Sequence, residues 1–391
     1  MQSVRVVHIS DLHISEHLLR GADSTFYLPH RYGHNVQAFL ALNNFLKKTG
    51  WDLLLITGDV SRIGNIQSFE WVRNWLENEI VFGDTHLGLN LSKSPDRTYL
   101  IIPGNHDRFN GELRQSSLDL YHQEFPVVRS GSVKSLTIHG HKINVHFFDS
   151  TTPEGGFAFG AIEQRSLGPK NLSDEDIDIA LLHHHFLQPP KHPREISTEL
   201  TNSADVAAYM LNAGFDGVFF GHTHKGYIGR PNVDTLSGLL NDRRKVPRVL
   251  TRLIPKWLMR KLEGECLVSY KRESARNGQL PTLASYFNYL YLRQKRHNLQ
   301  GPSSFDNIHQ FYEQMSKAAA NESIHDELEK VKSKRILISL APSACQAEAQ
   351  WKGLHTVTFD RDESGLLDVS WDRYEFDGSE FQKKLRDLHV S

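Results

Sequence analysis

The stretch Tyr99-Leu-Ile-Ile-Pro-Gly-Asn-His-Asp107 decides how the rest of the chain is read. Leu100, Ile101 and Ile102 form a short apolar run of the kind buried in a parallel sheet, and Pro103-Gly104 breaks it. Directly outside that expected strand stand an amide, an imidazole and a carboxylate: Asn105, His106 and Asp107. In open α/β sheets, chemistry collects at the carboxyl ends of the strands. The same arrangement recurs four more times. Val4 to Ile9 leads to Asp11-x-His13, and Leu53 to Ile56 leads to Thr57-Gly58-Asp59. Ile177 to Leu182 leads to His183-His184-His185, and Val218 to Phe220 leads to Gly221-His222-x-His224.

Between these runs the spacing is helical. Val36, Phe39, Leu40, Leu42 and Phe45 share a face between Asn35 and Lys48, and Phe69, Val72, Trp75 and Leu76 share another. A βαβαβ alternation of this kind predicts a layered α/β fold. Lys142 to Phe148 reads as a further strand, ending in Asp149-Ser150, of which Asp149 is taken as structural. Beyond Gly226 the rhythm stops. Residues 228–332 show helical patterns without a single apolar run capped by a polar cluster, and strand character returns at Arg335 to Leu340. A hairpin is expected from His355–Phe359 and Leu367–Trp371 around a turn at Asp362-Glu-Ser-Gly365. The organisation expected is therefore a catalytic domain over 1–227, a basic, mainly helical insertion over 228–332, and return strands plus a tail over 333–391, the last strands joining the second sheet.

The formal charge of −1 conceals an asymmetry, because Lys225 to Gln300 holds 16 Lys/Arg against five Asp/Glu. Val246, Leu250, Leu253, Trp257 and Leu258 fall near one helical face there, with arginines and lysines spread around them. Three readings fit: a helical cap on the catalytic domain, a nucleic-acid contact, or an anionic surface met by residues 243–300. Tyr286, Phe287, Tyr289 and Tyr291 could stack on bases or fill a core. No apolar run approaches a membrane span, and the N-terminus lacks the pattern of a secretory signal. With only Cys266 and Cys345 in 391 residues, a reducing cytosol is the expected compartment.

The five clusters supply imidazoles, carboxylates and one amide, but no thiolate, a mixture that suits Mn, Fe or Zn. In a strand-terminal D-x-H, alternate side chains share one side, so Asp11 and His13 can grip one ion; His222 and His224 have the same spacing. Gly58 and Gly104 allow close backbone approach before Asp59 and Asn105. Taken singly, Asp11 or Asp59 after a strand is more often a helix cap or turn former than a ligand, and the co-occurrence of the other clusters reverses that. His8, His122, His141 and His146 read as core or surface residues, whereas Arg31 and His34, in the long loop after the first cluster, could reach a substrate.

In this order the clusters resemble the calcineurin-like metallophosphoesterase superfamily, whose pattern is D-x-H, G-D, G-N-H-D/E, H, G-H-x-H. The resemblance spans His8 to His224 and resumes at Arg335. The triple histidine and the Leu340-Ala-Pro-Ser-Ala-Cys345 segment look most like its cyclic-nucleotide phosphodiesterase branch. The resemblance implies a four-layer α/β/β/α sandwich and two divalent metal ions. Asp11, His13, Asp59 and His224 would hold one, and Asp59, Asn105, His183 and His222 the other, with Asp59 bridging. His184 is the alternative to His183. A hydroxide between the ions would attack a phosphodiester in line. His106 would stabilise the phosphoryl oxygens or protonate the leaving group, oriented by a hydrogen bond to Asp107, while Arg108 and His185 are candidate substrate contacts. A nuclease of the same superfamily, using the basic insertion, is the competing expectation; a non-catalytic scaffold is disfavoured because every ligand position is filled.

Overall fold

Val4, Val6, Leu53, Leu55, Leu100 and Ile102 alternate along three strands with Val7, Ile9, Leu54, Ile56 and Ile101, and this alternation builds the layers. The computed structural model describes residues 2–14, 35–82, 85–108, 117–127, 129–151, 160–168, 172, 175–186, 200, 202–230, 336–345, 349, 352–362 and 365–384. The strands β1 (Val4–Ile9), β2 (Leu53–Thr57) and β5 (Thr98–Ile102) run parallel. Helix α1 (Val36–Lys48) connects the first two and α2 (Ile66–Glu77) follows the second. Each helix starts on an asparagine whose Oδ1 accepts a backbone N–H of the first turn: Ala38 N to Asn35 at 3.0 Å, and Ser68 N to Asn65 at 2.8 Å. Phe39 and Leu42 of α1 and Phe69, Val72 and Trp75 of α2 pack on Val7, Ile9, Leu54, Ile56 and Ile101, which makes the first helical layer. A small hairpin, β3 (Ile80–Phe82) and β4 (Thr85–Leu87), lies between α2 and β5.

After β5 come the one-turn helix α3 (Asn105–Arg108) and α4 (Leu118–Glu124). The second sheet then forms from β6 (Val133–Ile138), β7 (His141–Phe147), β8 (Ile177–Leu181), β9 (Gly217–Phe220), β10 (Tyr227–Gly229) and β11 (Leu337–Leu340). Its order is β10-β11-β9-β8-β7-β6, with β7, β8, β9 and β11 parallel and antiparallel strands at both edges. Helix α5 (Ser203–Asn212) covers its outer face through Val206, Met210 and Leu211 on Ala180, Val218, Phe220 and Ile338. Ile143, Val145, Ile177, Ile179, Phe219 and Leu337 meet the inner face of the first sheet. The expected α/β/β/α sandwich is therefore the one found.

The end of the chain departs from expectation. Only β11 joins the second sheet; β12 (Gly353–Arg361), β13 (Leu367–Phe376) and β14 (Phe381–Lys384) extend the first, in the order β14-β13-β12-β1-β2-β5. β12 reaches it because β1 has a free edge and pairs antiparallel, Val4 with Phe359 and His8 with His355. The expected start of the insertion at residue 228 falls inside β10, and residues 231–335, with the basic block and the aromatic run, lie outside the described residues. Among the described residues no helix is long and apolar enough to cross a membrane.

Candidate metal centre

The strand ends of both sheets meet at one edge of the sandwich. Asp11 and His13 follow β1, Asp59 follows β2, and Asn105 and His106 open α3 after β5; His183 follows β8, and His222 and His224 follow β9. D-x-H does not converge by strand alternation, as expected, but by reversal of the chain. Asp11, His13, Asp59, His222 and His224 have φ of 56°, 48°, 52°, 75° and 56°, in the left-handed region that non-glycine residues rarely adopt. Among the described residues only two other non-glycine positions, Asn90 and His139, do so. Such conformations persist where surrounding structure imposes them. Here Asp11 N donates to Gly58 O at 3.0 Å, His13 N to Asp59 O at 2.9 Å and Ile14 N to Val60 O at 2.9 Å, so the two loops are zipped together. Close approach also needs glycine: a Cβ on Gly58 would overlap His183 Nδ1. A Cβ on Gly104 would overlap Asp59 Oδ1, and one on Gly221 would overlap Ser10 Oγ.

Three groups of ligand atoms lie within 4.8 Å of one another: Asp11, His13 and His224; His13, Asp59 and His106; and Asp59, His183 and His222. His224 Nε2 is 3.2 Å from both Asp11 Oδ1 and His13 Nε2. His183 Nε2 is 3.0 Å from Asn105 Oδ1, 3.1 Å from His222 Nδ1 and 3.4 Å from Asp59 Oδ2. Asp59 divides its two oxygens. Oδ1 accepts the His106 backbone N–H at 2.8 Å, while Oδ2 lies between His183 and His13, 3.8 Å from the latter.

Burial alone would raise the pKa of Asp59, but His183 and His106 more than offset it and hold the carboxyl below its usual range. Asp11 is likewise buried and likewise held low by His224 and His13. For His183, burial opposes the charge, yet Asp59 and Asp11 push its pKa up to about 9. His222 and His106 go the other way, lowered mainly by burial to about 3 and about 4. The buried carboxylates and His183 thus favour each other's charged forms.

A model of the calcineurin-like phosphoesterase family matches residues 4–226. The chain belongs to that family. A probable cyclic nucleotide phosphodiesterase of Moraxella catarrhalis (strain BBH18) is 24% identical over 265 residues, covering 62% of this chain and 81% of the relative. Of solved structures, a protein of unknown function from Aquifex aeolicus is 15% identical, with 38% of this chain and 63% of that one covered and a TM-score of 0.18. Calcineurin-like phosphoesterases are phosphoric ester hydrolases that use divalent metals. The donors here fit such ions. They are carboxylate, imidazole and amide atoms without thiolate, and buried Asp11 Oδ1 faces the ring nitrogens of His224 and His13 at 3.2 and 3.8 Å, a convergence of donor atoms that suits a cation.

Around this phosphoesterase centre, other expected roles shift. Asp107 does not reach His106. Its carboxylate accepts backbone N–H groups of Val60 (3.2 Å), Ser61 (2.8 Å) and Gly104 (2.9 Å) and the Ser61 hydroxyl (3.1 Å), so it pins the Asp59 loop against α3. Burial, with the charge of Asp59, raises its pKa to about 7. His106 is oriented instead by the Arg62 carbonyl, which accepts from Nδ1 at 2.8 Å. Of the triple histidine, His183 enters the cluster, while His184 Nδ1 bonds Ser150 Oγ at 2.9 Å and His185 is buried, stacked behind His222. Arg108 turns to Asp149 and Thr151, each at 3.3 Å. Arg31 and His34 lie outside the described residues.

Sequence reasoning missed Ser150, whose Oγ accepts the backbone N–H of both His183 (3.2 Å) and His184 (3.0 Å). Its signal was there: a polar residue beside Asp149 at the end of β7. It also missed Ser343 and Cys345, which donate to the carbonyls of Asp11 (2.7 Å) and Leu12 (3.2 Å) and brace the first ligand loop.

Proposed function

We propose that this calcineurin-like phosphoesterase is a dinuclear metal-dependent phosphodiesterase acting on a cyclic nucleotide or a related small diester. One observation carries the reading: a single buried oxygen, Asp59 Oδ2, stands between His183 of one sheet and His13 of the other, at 3.4 and 3.8 Å. Asp11, His13, Asp59 and His224 would hold one ion, and Asp59, Asn105, His183 and His222 the second. Bound there, Mn, Fe or Zn supplies Lewis acidity and brings a water's pKa down to about 7. With Nδ1–H given to Arg62, His106 offers Nε2 as the nitrogen that gives or takes a proton. An anionic phosphoryl group beside it favours the protonated ring, which donates to a phosphoryl oxygen or the leaving group. Asp107 positions the loop that carries these groups. A cytoplasmic setting, expected from only two cysteines in the sequence, goes with this reading.

The Moraxella catarrhalis relative supports the small-diester choice. The basic block favours a second reading, a nuclease that neutralises nucleic-acid phosphates with residues 243–300. A Mn²⁺-supplemented panel of 2′,3′- and 3′,5′-cyclic nucleotides, simple monoesters, and single- and double-stranded DNA separates them. Preferential hydrolysis of a cyclic nucleotide is expected. Cleavage of DNA alone would replace the first reading with the second, and no hydrolysis of any ester would overturn both.

A further inference from the structure

Along the inner face of β1, the two aliphatic residues Val4 and Val6 are followed by His8, fully buried between the sheets. Its Nε2 is 2.9 Å from Thr57 Oγ1 on β2, and its Nδ1 is 2.8 Å from Ser339 Oγ on β11. Ser339 Oγ is in turn 3.0 Å from Nδ1 of His355 on β12, also buried. Four strands from two sheets are thus joined by one polar chain through the middle of an apolar core. Burying such groups is favourable only when they are hydrogen-bonded, and apolar replacements of similar size often leave a core equally stable. Stability therefore does not account for the chain.

Its position does. One end is Thr57, the last residue of β2, whose carbonyl accepts from His183 Nδ1 at 2.7 Å and from Ser10 Oγ at 3.0 Å. His183 belongs to the second sheet, and Ser10 precedes Asp11 of the first. The candidate ligands come from both sheets, and apolar faces in contact fix their relative slide less sharply than directional hydrogen bonds do. A ligand displaced by an ångström holds an ion poorly.

We propose that His8, with Thr57 and Ser339, is a positioning network that sets the two sheets in the alignment at which the metal ligands converge. The proposal rests on the metal reading above. His8 touches no candidate ligand and acts through Thr57.

The test is calorimetric titration of Mn²⁺ into the full chain, wild type and the variants His8→Leu and Thr57→Val, with the urea midpoint of each metal-free protein measured alongside. Thr57→Val removes only the hydroxyl link and keeps the carbonyl that His183 uses. Mn²⁺ affinity is expected to fall about 10–100-fold, the range seen when groups behind metal ligands are removed. The fall should come without a matching loss of folded protein at the assay conditions. Folded variants that bind Mn²⁺ as tightly as wild type would overturn the proposal. If His8→Leu does not fold, Thr57→Val decides by the same criterion. A wild type that binds no Mn²⁺ would overturn the metal reading itself, and this proposal with it.

Discussion

The two sheets bring different chemistry to the edge where they meet. The sheet of β1, β2 and β5 delivers every anion, Asp11 and Asp59, together with the Asn105 amide, His13 and His106. The sheet of β8 and β9 delivers imidazoles alone: His183, His222 and His224. Neither half is a site by itself. Two carboxylates buried without a counter-charge would take up protons, and three imidazoles without an anion would shed them. Set face to face, they perturb each other in opposite directions, the aspartates downward and His183 upward to about 9. The halves meet where Asp11 stands 3.2 Å from His224, Asn105 3.0 Å from His183, and Asp59 Oδ2 3.4 Å from His183.

The contrast is most severely tested by Asp59→Asn. The anionic half then loses the carboxylate charge that the proposed bridging role needs, and hydrolysis should fall to background while metal content drops. That loss exceeds the ~10–100-fold effect of changes behind a ligand. Full activity with unchanged metal content, by assay and elemental analysis, would break the shared role. His106→Ala comes next. If His106 stabilises the phosphoryl oxygens or protonates the leaving group as proposed, removing it should slow turnover by about 10²–10⁴-fold with metals retained; metal loss in the same sample would make it a ligand. Asp107→Asn sharpens the correction made above. It weakens the hold on Val60, Ser61 and Gly104, so the urea midpoint should fall by the equivalent of about 1–3 kcal/mol while turnover suffers less than in His106→Ala. A turnover loss equal to that of His106→Ala at unchanged stability would restore Asp107 to a direct role.

The smallest effect concerns the core that holds the halves together. Burial lowers the pKa of His8 to about 3, against 6.5 when exposed. The unfolded chain therefore binds the proton more readily, and stability is intact above pH 6.5 and lost as pH falls below it. Between about pH 6 and 4 this histidine makes the fold less stable as pH falls. His8→Leu should remove that share, seen as a flatter urea stability–pH profile; an unchanged slope would mean His8 is charged in the fold.

Much of the centre was legible because its signals are local. Gly104-Asn105-His106-Asp107 and Gly221-His222-x-His224 each put the tight turn and the donors within four residues. The apolar runs placed those turns at strand ends, which β5, β8 and β9 bear out. What escaped is what depends on partners far along the chain. Asp107 looks, by adjacency, like a partner for His106, yet its acceptors are filled from residues near position 60. β12 and β13 looked like companions of β11, but the open edge that takes them belongs to β1. His8 sits in a run of valines and isoleucines where nothing in the sequence marks Ser339, more than three hundred residues away, as its partner. Left-handed φ at Asp11 and His13 was equally invisible, since either residue also fits an extended strand end.

The most direct measurement is anomalous diffraction at the manganese edge from crystals grown with Mn²⁺. Two peaks are predicted, one bounded by Asp11, His13 and His224 and the other by Asn105, His183 and His222, with the Asp59 carboxylate between them. Manganese bound elsewhere, or Asp59 turned away from both peaks, would contradict a centre assembled from the two sheets.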